Sequence, residues 1–173
     1  GWQMSSVWNE VIAQRELKVI RRETRFHDDP SEMVISGPMF HVSNPFYKTP
    51  NAECLTNADY QVVDLLAMPD NYLPRANYSP DVEMPEYRRQ LPRCRWEPTK
   101  SHVDFYRVTC RAIVNFYSER SFINAILSKS MAHVNSVQSI AFNSSKDVML
   151  AGTCWAALPY DFIIKVSGRQ NLH

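Results

Sequence analysis

The sequence predicts an α+β fold, a mixed or antiparallel sheet with a few short helices and a long proline-rich loop. Three observations predict it. Most apolar runs are short, rich in β-branched residues and of strand length; helical spacing is confined to a few segments; and six prolines fall between Pro69 and Pro98, where they interrupt both kinds of element.

From the N-terminus, a serine cap at Ser5-Ser6 precedes the amphipathic turn Val7-Trp8-Asn9-Glu10-Val11-Ile12, and Leu17-Lys18-Val19-Ile20-Arg21 alternates as a strand. Residues 33–42 read as two short strands broken at Gly37-Pro38, because proline fixes φ and lacks an N–H. Tyr60 to Leu66 is another β-branched run. Residues 69–98 read as an irregular excursion, extending to about 100, with one short helix around Glu86-Tyr87-Arg88-Arg89. Val103–Val114 and Ser121–Leu127 then read as paired strands around the polar turn Ser118-Glu119-Arg120, and Val137–Phe142 as a further strand. Val148–Leu158 repeats at helical spacing and is ended by Pro159.

At 173 residues the chain has the length of one domain, 1–173, and its apolar fraction of 45% supplies a core. Its four glycines, Gly1, Gly37, Gly152 and Gly168, are too dispersed for a phosphate-gripping loop, which needs glycines close together so that backbone N–H groups can approach phosphate. That excludes the common nucleotide and dinucleotide motifs from this segment. The net charge is +1, but the charge is unevenly spread: residues 51–84 carry one base and six acids, whereas residues 85–100 carry five bases and two acids. Such a chain can present a basic face. Cys54, Cys94, Cys110 and Cys154 form no C-x-x-C pair and read as reduced, mostly buried thiols. No apolar run is long enough to span a bilayer, and the expectation is a cytoplasmic protein without membrane contact. The start at Gly1-Trp2-Gln3-Met4 suggests a fragment of a longer chain.

Catalytic and metal motifs are not met. Asn44-Pro45-Phe46-Tyr47 approximates the [Asn/Asp]-Pro-Pro-[Phe/Tyr] motif with which amino-group methyltransferases grip a flipped base. Phe46 replaces the second proline, so a turn with buried aromatics is the better reading. Glu97-x-x-Lys100 and Asp161-x-x-x-Lys165 lack nuclease spacing, and the five histidines form no H-x-x-x-H pair. No catalytic residue, metal ligand or cofactor is assigned to this segment.

Several blocks, in order along almost the whole chain, resemble the C-terminal target-recognition region of large adenine-specific DNA methyltransferases of restriction-modification and phage-defence systems. They include Trp2-Gln3-Met4, Ile20-Arg21-Arg22-Glu23-Thr24-Arg25-Phe26, Ser36-Gly37-Pro38-x-Phe40, Asp70-x-Tyr72-Leu73-Pro74-Arg75-x-Asn77-Tyr78, Glu86-Tyr87-Arg88-Arg89, Ala132-His133-Val134-Asn135 and Leu158-Pro159-Tyr160-Asp161-Phe162. The resemblance implies recognition of duplex DNA around an adenine. It also implies an upstream methyltransferase domain that holds S-adenosylmethionine and methylates N6, and a nuclease domain or subunit as a further partner.

On that reading Lys48, Arg88, Arg89, Arg93, Arg95 and Lys165 position phosphates, and Arg75, Asn77, His133 and Asn135 read base edges or brace the reading loop. Arg75, isolated in the acidic stretch, is either a structural arginine or a base reader. The rival expectation is a protein-interaction or scaffold domain that docks a nuclease or modification subunit through exposed aromatics.

Overall fold

The computed structural model describes residues 1–172 and bears out the α+β class. One antiparallel sheet has the order β1 (Trp2–Ser5), β12 (Val137–Phe142), β9 (Arg107–Arg111) and β10 (Asn124–Leu127). A second, mixed sheet has the order β11 (Ala132–His133), β3 (Val34–Ile35), β6 (Ala76–Pro80) and β2 (Ile20–Arg25), with only the β11–β3 pair parallel. Two hairpins stand apart: β4 (Lys48–Pro50) with β5 (Tyr60–Val62), and β7 (Arg93–Cys94) with β8 (Glu97–Ser101). The helices are α1 (Glu10–Arg15), α2 (Met84–Gln90), α3 (Ser145–Ala156) and α4 (Leu158–Val166).

Val137–Phe142 and the β9–β10 pair form as expected. Four expectations are corrected. Of the two short strands expected over residues 33–42 only β3 forms, because Gly37-Pro38-Met39 winds into a 3-10 turn and His41 makes only a single bridge to Asn44. The first helix is capped by Asn9, whose Oδ1 accepts from the N–H groups of Val11 and Ile12 at 3.1 and 3.2 Å; Ser5 instead belongs to β1, paired with Ser139. The stretch 69–98 is not a single irregular excursion, since it contributes β6, an interior strand of the second sheet, as well as α2, β7 and the start of β8. Two of its prolines mark element ends: Pro80 ends β6 and Pro85 sits in the first turn of α2, where its missing N–H breaks no helical bond. Pro159 likewise does more than stop α3. It occupies the first turn of α4.

Two cores hold the sheets. One gathers Trp8, Ala13, Ile20, Val34, Tyr78, Tyr87 and Leu91 beneath α1 and α2. The other gathers Met33, Ile35, Met39, Phe40, Ala125, Leu127 and Val137 between the sheets. Adjacent residues Val34 and Ile35 serve different cores, as the alternation of a strand requires. At Gly37 the 3-10 turn Gly37–Met39 passes close to the next loop: a Cβ there would lie 2.8 Å from the Ser136 carbonyl oxygen, and the Gly37 N–H donates to Ser136 Oγ at 2.9 Å. Because the obstacle is backbone, Gly37→Ala is expected to lower stability by about 1–3 kcal/mol; an unchanged urea midpoint would show that the 136 loop yields freely.

A polar seam crosses the protein where the sheets meet. Ser139 Oγ on β12 lies 2.8 Å from His102 Nε2 and 2.7 Å from His133 Nε2, and both rings are fully buried. Beside them Arg107, also fully buried, donates from Nη2 to the carbonyls of Ser128 (3.0 Å) and Met131 (2.6 Å), while its Nε and Nη1 have no partner among the described residues. Burial, then the Arg107 charge, pushes the His102 imidazole down to about 3 and moves His133 in the same direction. Burial also pushes Arg107 down, to about 9.

Candidate nucleic-acid interface

The basic cluster is built by α2 and the hairpin that follows it. Residues 84–90 form a helix because Pro85 starts it, Glu86 sits in its first turn and Arg88 and Arg89 in its last, the arrangement that complements the helix dipole. Tyr87 anchors the helix by its buried ring, with Trp8 Nε1 donating to its hydroxyl at 3.1 Å. With the ring held inside, Arg88 and Arg89, the two residues that follow it, are both exposed. The β7–β8 hairpin is tied to the edge strand β1: Gln3 Nε2 donates to the Arg93 carbonyl at 3.0 Å and Gln3 Oε1 accepts from the Arg95 N–H at 3.1 Å.

Within this unit the charges differ in availability. Arg89 is spent on Glu86, with both contacts at 2.7 Å, and Lys100 on Glu97 at 2.9 Å. Arg89 in turn holds the Glu86 carboxyl down to about 2. Arg88, Arg93 and Arg95 form no ion pair with a carboxylate among the described residues. Arg88 and Arg93 are adjacent: Arg93 Nη2 donates to the Arg88 carbonyl at 3.3 Å, and both side chains line one cavity of about 310 Å³ with Asp104 and Ser101. Arg88 also reaches Ser31 Oγ at 3.3 Å. The Arg95 side chain is exposed and makes no hydrogen bond among the described residues.

The other residues expected at a DNA surface are dispersed. Lys48 lies on β4, and Lys165 lies on α4, where it donates to the Ser118 carbonyl at 3.4 Å. Arg75 stacks over the Phe26 ring at 4.4 Å and reaches the Pro50 carbonyl at 3.5 Å, so its guanidinium is partly occupied without an ion pair. Asn77 and His133 are buried and have no access to a base edge; of the two roles expected for them, only bracing is open. Asn77 Nδ2 donates to the Tyr60 hydroxyl at 2.6 Å and fastens the β4–β5 hairpin to the second sheet. Asn135 Oδ1 accepts from the Glu10 N–H at 3.0 Å at the start of α1. Asn44-Pro45-Phe46-Tyr47 is a turn, as expected: Asn44 Oδ1 accepts from the Phe46 N–H at 2.8 Å, and Tyr47 packs on His41 with ring centroids 4.7 Å apart.

Sequence reasoning missed a second feature, the outer surface of the C-terminal helices. Met149 and Leu150 on α3 and Leu158, Phe162, Ile163 and Val166 on α4 are all more than half exposed. The helical period of α3 was legible, but not which of its apolar positions the sheet would leave uncovered.

Three of the cysteines, Cys54, Cys94 and Cys110, are buried and unpaired, and Cys154 is exposed. Among the described residues no helix is long and apolar enough to cross a membrane, and no group of His, Cys, Asp and Glu is arranged to hold a metal ion. No known protein family, curated protein or solved structure matches the chain.

Proposed function

We propose that this chain recognises duplex DNA as the target-recognition part of an S-adenosylmethionine-dependent adenine-N6 methyltransferase, with the methyl-donor site in a separate catalytic domain. The observation that carries the reading is the arginine cluster of α2 and β7–β8. Arg88, Arg93 and Arg95 have no carboxylate partner among the described residues, are joined through a short hairpin, and include two that share one cavity. Guanidiniums without a carboxylate partner on adjoining elements suit phosphate, two of whose oxygens the planar arginine fork can engage at once.

The test is a salt-titrated binding measurement with duplex DNA. Affinity is expected to fall steeply with salt, and Arg95→Ala, which removes no intramolecular side-chain hydrogen bond, to weaken binding to all sequences alike and reduce the salt slope by about one unit. An unchanged slope would remove Arg95 from the interface. The exposed apolar surface of α3 and α4 supports a second reading, a protein-docking domain. Absence of DNA binding even at low salt would favour it.

A further inference from the structure

A cavity of about 440 Å³ lies apart from the arginine cluster, beside Arg111 at the end of β9. Arg111 is partly buried, and its guanidinium has neither a hydrogen bond nor an ion pair among the described residues. Every other inward or half-buried arginine here has an acceptor: Arg107 two carbonyls, Arg120 the Ala156 carbonyl and Asp161. The Arg111 nitrogens keep contact with solvent, so its N–H donors are free to exchange water for the oxygens of a ligand.

The rest of the wall is also rich in donors. Arg22 lines it as a second cation, its Nη2 fixed by the carbonyls of Cys54 and Leu55 at 3.1 and 2.9 Å. Ser136 Oγ accepts from Gly37, and its own hydrogen has no acceptor among the described residues. Ser36 and Tyr60 share a single bond of 2.9 Å between two hydroxyls, and Tyr60 also accepts from Asn77, so one hydroxyl hydrogen of the pair is left over. Against these stands one carboxylate, Glu10, with Oε1 already taking the Tyr78 hydroxyl at 2.6 Å. Two cations and two spare hydroxyl donors around one acidic acceptor describe a ligand with an anionic, oxygen-rich end and a donor elsewhere. The volume lies in the range of small-molecule sites.

We propose that this cavity binds a nucleoside phosphate, with the phosphate on Arg111 and a sugar hydroxyl or base amino group on Glu10. The site goes beyond the DNA-recognition reading and does not rest on it: the two share no arginine. The nucleoside phosphate can be a free nucleotide or one unit of a nucleic-acid strand, because the phosphate chemistry is common to both.

Calorimetric titration of the whole chain with adenosine monophosphate, adenosine, inorganic phosphate and a short single-stranded oligonucleotide separates these cases. Adenosine monophosphate is expected to bind at least tenfold more tightly than adenosine, and Arg111→Gln to weaken it at least tenfold without lowering the unfolding temperature. The comparison with adenosine needs no variant, so it holds even if Arg111→Gln fails to fold. An oligonucleotide that outcompetes the mononucleotide, and is itself weakened by Arg111→Gln, assigns the phosphate to a strand; the reverse order assigns it to a free nucleotide. Equal binding of adenosine and its monophosphate, full affinity in Arg111→Gln, inorganic phosphate binding as tightly as the nucleotide, or no binding of nucleotide or oligonucleotide at millimolar concentration would each overturn the proposal.

Discussion

Arg107→Ala is expected to destabilise the protein by about 3–5 kcal/mol, a fall of roughly 6–20 °C in unfolding temperature for a chain of this size. Arg107 has no exposed surface, and its Nη2 holds the carbonyls of Ser128 and Met131, which pins the link between β10 and β11 to the first sheet. Truncation leaves two carbonyls without their donor and opens a void the size of a long side chain. Arg107→Met separates the two effects. It fills most of the volume and removes the need to bury a cation two of whose nitrogens lack partners, so it is expected to lose distinctly less than alanine. Chemical unfolding of both variants decides the matter, and a loss below about 1 kcal/mol for Arg107→Ala would show that the guanidinium is not integral to the fold.

Acid is expected to have an effect of similar size. His102 and His133 are buried and neutral in the folded protein, with affinity for protons lowered by burial and then by Arg107. In the unfolded chain both recover an ordinary value near 6.5. Below that pH the unfolded state binds more protons than the folded state, so stability falls as pH falls. It is fully present above about 6.5, and for His102 the loss continues down toward about 3. Within this window His102 contributes about 1.4 kcal/mol per pH unit, or about 2–3 kcal/mol between pH 6.5 and 4.5, and His133 adds to the loss in the same direction. Urea midpoints measured across that range test it. A flat profile would mean that the seam opens to water and protonates without unfolding.

The short apolar runs bounded by polar segments were legible as strands: Val137–Phe142 matches residue for residue, and β9 and β10 pair across the segment that holds Ser118-Glu119-Arg120. β6 was not, for a physical reason. It is five residues long without a β-branched side chain, and its polar members Asn77 and Ser79 are buried, satisfied by Tyr60 and His27 from distant segments, so no apolar run marks it as an interior strand. Its flanking prolines then made the stretch look like a loop. Ser5 and Asn9 are both acceptable caps; what decides between them is the pairing of β1 with a strand more than 130 residues away. In the candidate interface, the run of arginines was visible, but not which of them Glu86 would neutralise, since that depends on the helical spacing of residues 86 and 89. The environment of Arg111 was equally hidden. It is assembled from α1, β2, the Gly37 turn, the β4–β5 hairpin and β9, which no local pattern connects.

The pairing of β1 with β12, and of β3 with β11, has a further consequence for how the chain reaches this structure. Both sheets join the first fifth of the chain to its last quarter. Neither can close until β11 and β12, residues 132–142, are available, and the entropy of closing such long loops is spent before the contacts that reward it form. Topologies dominated by such distant pairings fold in about milliseconds to seconds rather than microseconds. During that interval β9 and β10 can form their hairpin, while the edge that β12 will cover stays open to other chains.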